Sequence, residues 1–242
     1  MKRDLVWLSA LAIAMLVILL GLGFWQLQRM AWKDALNEQI VARTSLEPVS
    51  LTDALSRWEK SRDVEYLKVQ FKGRFRHGGE SHFFTVIKGQ TGWRVVTPLE
   101  TTGGRIVMVD RGFVPDVMKN AKTRTKGQIE GEQDIIGLAR APGIRAFFVP
   151  VNEPEKNNWF WRDLNGMATA VLPERDIKRV APFFVEQEEA PIPGGLPRGG
   201  VTRTVLPNTH LQYVFTWFGL AGVLLAVLAV YLRGRFHRRA FT

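Results

Sequence analysis

Two long uncharged stretches constrain this chain more than any other feature. Leu5 to Trp25 holds no charged residue and one clearly polar one, Ser9. Leu211 to Leu232 holds no charge either, and its polar members are Gln212, Tyr213, Thr216 and Tyr231. A helix rises about 1.5 Å per residue, so about 20 apolar residues cross a hydrocarbon core about 30 Å thick. A helix this long in a soluble core normally keeps a polar face, and neither stretch has one. The sequence therefore predicts two transmembrane helices, at 5–25 and 211–232.

The flanks predict orientation. Lys2 and Arg3 precede the first span, and Arg233, Arg235, Arg238 and Arg239 follow the second. Lys and Arg beside span ends stay on the cytoplasmic side. The tails 1–4 and 233–242 are thus expected inside and everything between the spans outside. That large segment, Gln26 to His210, carries 27 Lys and Arg against 22 Asp and Glu, and domains of this size translocate regardless of charge. The high pI partly reflects the basic tails, and no nucleic-acid-reading motif accompanies it. The first stretch starts at residue 5, leaving no room for an Arg-rich transit peptide, and no A-x-A cleavage site follows it. These features predict an uncleaved anchor in a bacterial cytoplasmic (inner) membrane with a periplasmic domain.

The chain has no cysteine. The outer domain must fold without disulfides, and thiolate metal sites, thiol redox chemistry and C-x-x-C-H haem attachment are all excluded. From Phe24 to Val41 the pattern stays helical, with Trp25, Arg29, Trp32 and Leu36 on one face. Ser50 to Lys60 predicts a short helix with Asp53 in its first turn. The period then becomes two: Leu67, Val69, Phe71, Gly73 and Phe75 alternate with Tyr66, Lys68, Gln70, Lys72 and Arg74. Further strands are predicted at 81–87, 92–99, 105–114, 132–139, 158–161 and 183–187, and one helix at 163–171 capped by Asp163. Short strands with Gly/Pro turns predict a mostly antiparallel β (α+β) domain, a sheet or small barrel, over 26–190. The Pro/Gly-rich segment 191–210 predicts a linker.

No nucleophile elbow or phosphate loop is present, so nothing argues for catalysis. His77, Glu80 and His82 in HGGESH could hold zinc, but a Gly-Gly turn supplies no ligand register, and a polar hairpin tip accounts for them better. His237 falls in the basic tail and reads as a solvated or lipid-facing group. His210 differs because it opens the second span, with Tyr213, Val214 and Trp217 at i+3, i+4 and i+7. Imidazole is a common axial ligand of haem iron. Trp25, Gln26 and Arg29 leave the first span at the same level, and Arg29 could meet a propionate bidentately. The residues alone also fit an interfacial belt of Trp, Tyr and His, which is the commoner occupant of that level. Asn208 and Thr209 are the nearest polar neighbours for the second imidazole nitrogen.

Four blocks resemble the surfeit locus 1 family of haem-copper cytochrome c oxidase assembly factors. They are GFWQLQRMAWK, GWRVVTPLETTGGRIVMVDRGFVP, NNWFWRDLNGMA and NTHLQYVFTWFGLA. Their order and the two-span layout match as well. The resemblance implies a non-catalytic factor that binds haem a and helps insert it into the oxidase catalytic subunit. On this resemblance His210 would be the iron ligand, and Trp25, Gln26, Arg29, Tyr213 and Trp217 are the candidate lining by their place at the span mouths. The expected partners are the oxidase catalytic subunit, haem a synthase and membrane lipid. A rival reading is a membrane-anchored scaffold that stabilises the nascent subunit without touching haem. Arg111 and Arg162 either face a partner or pair structurally with Asp110 and Asp163, and ordered aromatic–Arg clusters favour packing. The segment Lys119 to Glu132 has no counterpart in these blocks.

Overall fold

The computed structural model describes the backbone of residues 2–202 and 204–240, and side chains over 6–202 and 204–235. The side chains of Lys2, Arg3, His237, Arg238 and Arg239 lie outside the described residues. The chain divides into a helical unit, Met1–Val41 with Thr204–Thr242, and a β-rich unit, Ala42–Arg203.

In the helical unit, α1 runs over Lys2–Thr44 and α5 over His210–Ala240. Both are long and apolar enough to cross a membrane. The helical pattern past Trp25 is real, since α1 continues as one helix and stops before Pro48, a residue that cannot continue it. Leu19, Gly23 and Gln26 of α1 are buried, as are Val214 and Ala221 of α5. Gly23 matters for its size: a Cβ there would lie 2.8 Å from the Phe218 ring. Phe24 meets the same ring edge-on at 5.5 Å.

The β-rich unit opens with β1 (Val49–Ser50) and α2 (Leu51–Ser61), where the Ser50 hydroxyl accepts from Asp53 N. The strands β2 (Lys68–Phe75), β3 (Ser81–Ile87), β4 (Gln90–Thr101), β5 (Ile106–Pro115) and β6 (Glu132–Arg140) follow. After them come β7 (Asn158–Trp159), α3 (Leu164–Val171), α4 (Glu174–Ile177) and β8 (Val180–Gln187). The sheet order is β1-β2-β6-β8-β5-β4-β3-β7, and β2 also pairs with β4. That extra pairing closes β2, β6, β8, β5 and β4 into a small barrel. Among these five, only β5–β8 is parallel. The protein is therefore a two-helix membrane protein with a mostly antiparallel α+β domain between the helices.

Side-chain alternation gives this barrel two cores. Val107, Val109, Phe183 and Val185 turn one way and pack with Val69, Phe71 and Leu51 and Ala54 of α2. Ile106, Met108 and Phe184 turn the other way and pack under Leu164, Met167 and Ala168 of α3. Burying a side chain such as Phe183 contributes about 1.5–3 kcal/mol. Asp163 caps α3, its carboxylate accepting from Gly166 N at 2.9 Å.

The Pro/Gly linker after Gln187 is held against the β-rich unit. Phe113 and Arg198 exchange both backbone hydrogen bonds at 2.9 Å, and Gly200 N donates to Gln187 O at 3.0 Å. The segment straps across the barrel over Gly112, whose φ is 110° and whose Cβ would lie 1.9 Å from Arg198 O. The arginine pairings differ from those expected. Asp110 pairs with Arg94 at 2.6 Å, because Arg111, the next residue along the strand, points to the opposite face. Arg162 pairs with Glu186 at 3.1 Å, since Asp163 is occupied as the cap.

Candidate functional site

The helical unit brings two of the six sequence-selected residues together. His210 Nδ1 lies 2.6 Å from Gln26 Oε1. An amide oxygen only accepts, so with that oxygen facing the ring Nδ1 carries the proton and Nε2 keeps its lone pair. The nitrogen partner foreseen from Asn208 or Thr209 is thus Gln26. Asn208 serves the backbone instead, its Oδ1 accepting from His210 N at 3.3 Å.

This contact is the last of a series. Asn37 holds Leu206 twice, Nδ2 donating to Leu206 O at 3.0 Å and Oδ1 accepting from Leu206 N at 2.9 Å. Asn208 Nδ2 donates to Asp34 Oδ1 at 2.6 Å and Met30 O at 3.2 Å. Gln26, Met30, Asp34 and Asn37 stand at i, i+4, i+8 and i+11, one face of α1. The stripe therefore fixes where α5 begins and how the imidazole is turned. Asp34 and Asn37 escaped the sequence reading, although their spacing from Gln26 was a legible signal.

The other predicted residues sit around this contact without joining it. Trp25 and Tyr213 are exposed. Arg29 stacks on Trp32, with Cζ 4.1 Å from the ring centroid. Trp217 is half-buried, and its Nε1 is buried without a partner.

The donors at this contact suit a haem. A neutral imidazole whose Nδ1–H is held by an amide is the usual second-sphere arrangement of a metal-binding histidine. His210 is half-buried, so Nε2 is not sealed off. The orphaned Trp217 N–H is a donor that a ligand oxygen can satisfy. The residues present fit the group.

The β-rich unit holds a cavity of about 720 Å³ that contains none of the six. Its wall includes His77, Glu80, His82, Asp116 and Lys119. Glu80 is gripped by Arg124, Nη1 at 3.1 Å and Nη2 on the other oxygen. Burial pushes its carboxyl up, yet His82 and Arg124 hold it down to about 2. His82 Nδ1 lies 3.1 Å from Asn157 Nδ2, and His77 Nε2 lies 2.8 Å from Ile129 O. Arg111 stacks on Phe75 and donates to Gly127 O. Burial lowers its pKa to about 10. Ser81 Oγ and His82 Nε2 are buried without a hydrogen-bond partner, and among the described residues no three His, Asp or Glu converge as a metal site. Lys119 and Lys122, in the segment outside the four blocks, line this cavity, and Arg124 of the same segment holds its Glu80.

Comparison with known proteins decides the relationship. The family model for the SURF1 family matches residues 13–222. The chain belongs to the SURF1 family. Surfeit locus protein 1 of Homo sapiens is 40% identical over 220 residues, covering 83% of this chain and 69% of that protein. The Takifugu rubripes protein of the same name is 35% identical over 218 residues, with 83% and 86% covered. A SURF1-like protein of Monosiga brevicollis is 32% identical over 230 residues, with 90% and 84% covered. The family match spans the His210–Gln26 contact and the whole β-rich unit.

Proposed function

We propose that this protein is a non-catalytic assembly factor for haem-copper cytochrome c oxidase that holds haem a through His210 on its way to the catalytic subunit. The observation that carries the reading is the 2.6 Å His210–Gln26 contact, which leaves Nε2 as a lone-pair donor. Bound haem a would supply the iron that His210 Nε2 holds. The chain's part is to hold, orient and let go. Gln26 keeps the Nδ1 proton and fixes the ring, and His210 presents Nε2. Arg29 uses only its flat face on Trp32, so its N–H edge stays free for a propionate. Trp25, Tyr213 and Trp217 offer apolar faces for a hydrophobic porphyrin. A single histidine ligand and an unenclosed surface would suit a carrier, because nothing has to unfold for the cargo to leave.

Location follows the same reading. The protein sits in a bacterial cytoplasmic membrane with both termini inside and the β-rich domain in the periplasm. Its partners are the oxidase catalytic subunit and haem a synthase. The test is an absorption spectrum of protein purified from cells making haem a. Wild type should carry the haem band, and His210→Ala should lose it while keeping its melting temperature. Equal haem in both proteins removes the ligand assignment. A colourless wild type moves the protein to the scaffold that never touches haem.

A further inference from the structure

The cavity of the β-rich unit contains an unfinished hydrogen bond. His82 is 8% exposed, and its Nε2 is buried without a partner. Its tautomer follows from a neighbour. Asn157 Oδ1 accepts from His82 N at 3.2 Å and from Trp159 Nε1 at 2.9 Å. That leaves Asn157 Nδ2 to donate, to Glu80 O at 2.6 Å and to His82 Nδ1 at 3.1 Å. Nδ1 is therefore the acceptor of the neutral ring, and Nε2 carries the proton. Asn157 is held in the left-handed region, φ 52°, where Asn is enriched.

The spare N–H is on the cavity side of the ring. Asn157, beside Nδ1, is not in the cavity wall, whereas Glu80, 3.8 Å from Nε2, is. A buried N–H without an acceptor is costly and rare in a native fold. A metal ion is the wrong guest for it, because a protonated ring nitrogen has no lone pair to give.

The surrounding charges select the guest. Glu80 is already over-matched, with Arg124 on both its oxygens and Arg111 Nη1 at 3.7 Å. Lys119 and Lys122 stand in the wall with Asp116. Four cations thus face two carboxylates. Lys119 is fixed in place, its Nζ 3.7 Å over the Trp93 ring and bonded to Asn158 Oδ1. An ammonium has three N–H groups, so the bond to Asn158 leaves donors for a guest. An anion that takes the His82 N–H must lie beside Glu80. Repulsion grows with the product of the charges, so a single charge shared by two oxygens is favoured over a phosphate dianion.

We propose that this cavity binds a carboxylate, from a free organic acid or from an acidic side chain of a polypeptide, through the N–H of His82 and the ammonium of Lys119. Its volume of about 720 Å³ lies in the range of small-molecule sites.

The chain has no native cysteine, so one introduced thiol reports on the cavity. Full-length Thr125→Cys, in the cavity wall, is alkylated with a neutral maleimide. The reference is Thr169→Cys, exposed on α3 and outside that wall. The probes are sodium butyrate, the capped peptide acetyl-Ala-Glu-Ala-amide, its Gln counterpart and inorganic phosphate, at constant ionic strength. Butyrate or the Glu peptide should slow alkylation at 125 saturably and leave 169 unchanged. Whichever protects at the lower concentration identifies the source. Lys122→Gln, an exposed change that spares the fold, should raise the concentration needed about 2–5-fold, the size of one exposed ion pair. Lys119→Met should raise it about tenfold, as loss of a charged hydrogen bond does, with its melting temperature as the check on folding. Failure of both carboxylate probes to protect overturns the proposal. Equal protection by the Gln peptide or by phosphate overturns it too, as does protection of both thiols alike. None of these readouts depends on haem.

Discussion

In the helical unit the long-range side-chain hydrogen bonds run along one stripe of α1, while in the β-rich unit polar side chains are many and buried against one another. Gln26 meets His210 at the first residue of α5, and Asp34 and Asn37 hold Asn208 and Leu206 just before it. In the barrel, Arg94, Asp110, Arg140, Arg162 and Glu186 share one network. The contrast teaches how to weigh a charged residue. A polar group on an apolar helix has no structural crowd to explain it and is informative about function. A charge in a crowded barrel already has partners and is informative about stability.

The sharpest test of that division is Glu186→Gln. It strips the shared carboxylate from Arg94, Arg140 and Arg162 and should cost about 3–5 kcal/mol. Chemical unfolding followed by the β signal in circular dichroism measures it, with the helical signal persisting. Gly112→Ala comes next, at about 2–3 kcal/mol for a strained φ and a lifted strap. Proteolysis of the strap should speed up in the same variant. On the helical side the effect should move from stability to cargo. Gln26→Ala should weaken haem retention about 10–100-fold, the usual consequence of losing a second-sphere partner, with an unchanged melting temperature. A large loss of stability there would break the comparison.

The smallest effect is on pH dependence, and it has two signs. Burial pushes Asp110 up from 3.8 to about 6, against the pull of Arg94. The folded state therefore binds the proton more tightly, and stability should rise as pH falls from about 6 toward 3.8. Glu80 is held down from 4.5 to about 2, so its contribution is present above 4.5 and is lost as pH falls toward 2. Glu186 and Asp63, also lowered, act in the same direction as Glu80. Melting temperature against pH should peak where the two windows overlap, at about pH 4, and Asp110→Asn should flatten the upper one.

The two units were not equally legible in the sequence. The uncharged stretches announced both long helices, and period-two alternation gave β2 within two residues of its start. β5 is buried along nearly its whole length because both faces are covered, so its alternation carried no in–out signal. Barrel closure by β2–β4 had no local signature, nor did the Arg124–Glu80 grip across 44 residues. His210 and Gln26 could be selected because both flank apolar runs. Their meeting across 184 positions needed coordinates. The strap was invisible because Gly and Pro signal a turn without saying what it lies against.

The strand order sets a timetable for biosynthesis. β8 is the last strand to be made, yet it lies between β5 and β6. The two strands it joins are already waiting with unpaired edges when it emerges. Completion of the barrel and arrival of the second apolar helix at the membrane machinery therefore fall close together. A ribosome pause just before residue 180 would leave an open sheet exposed to chaperones or to a neighbouring chain. The barrel can shut only once β8 has left the ribosome.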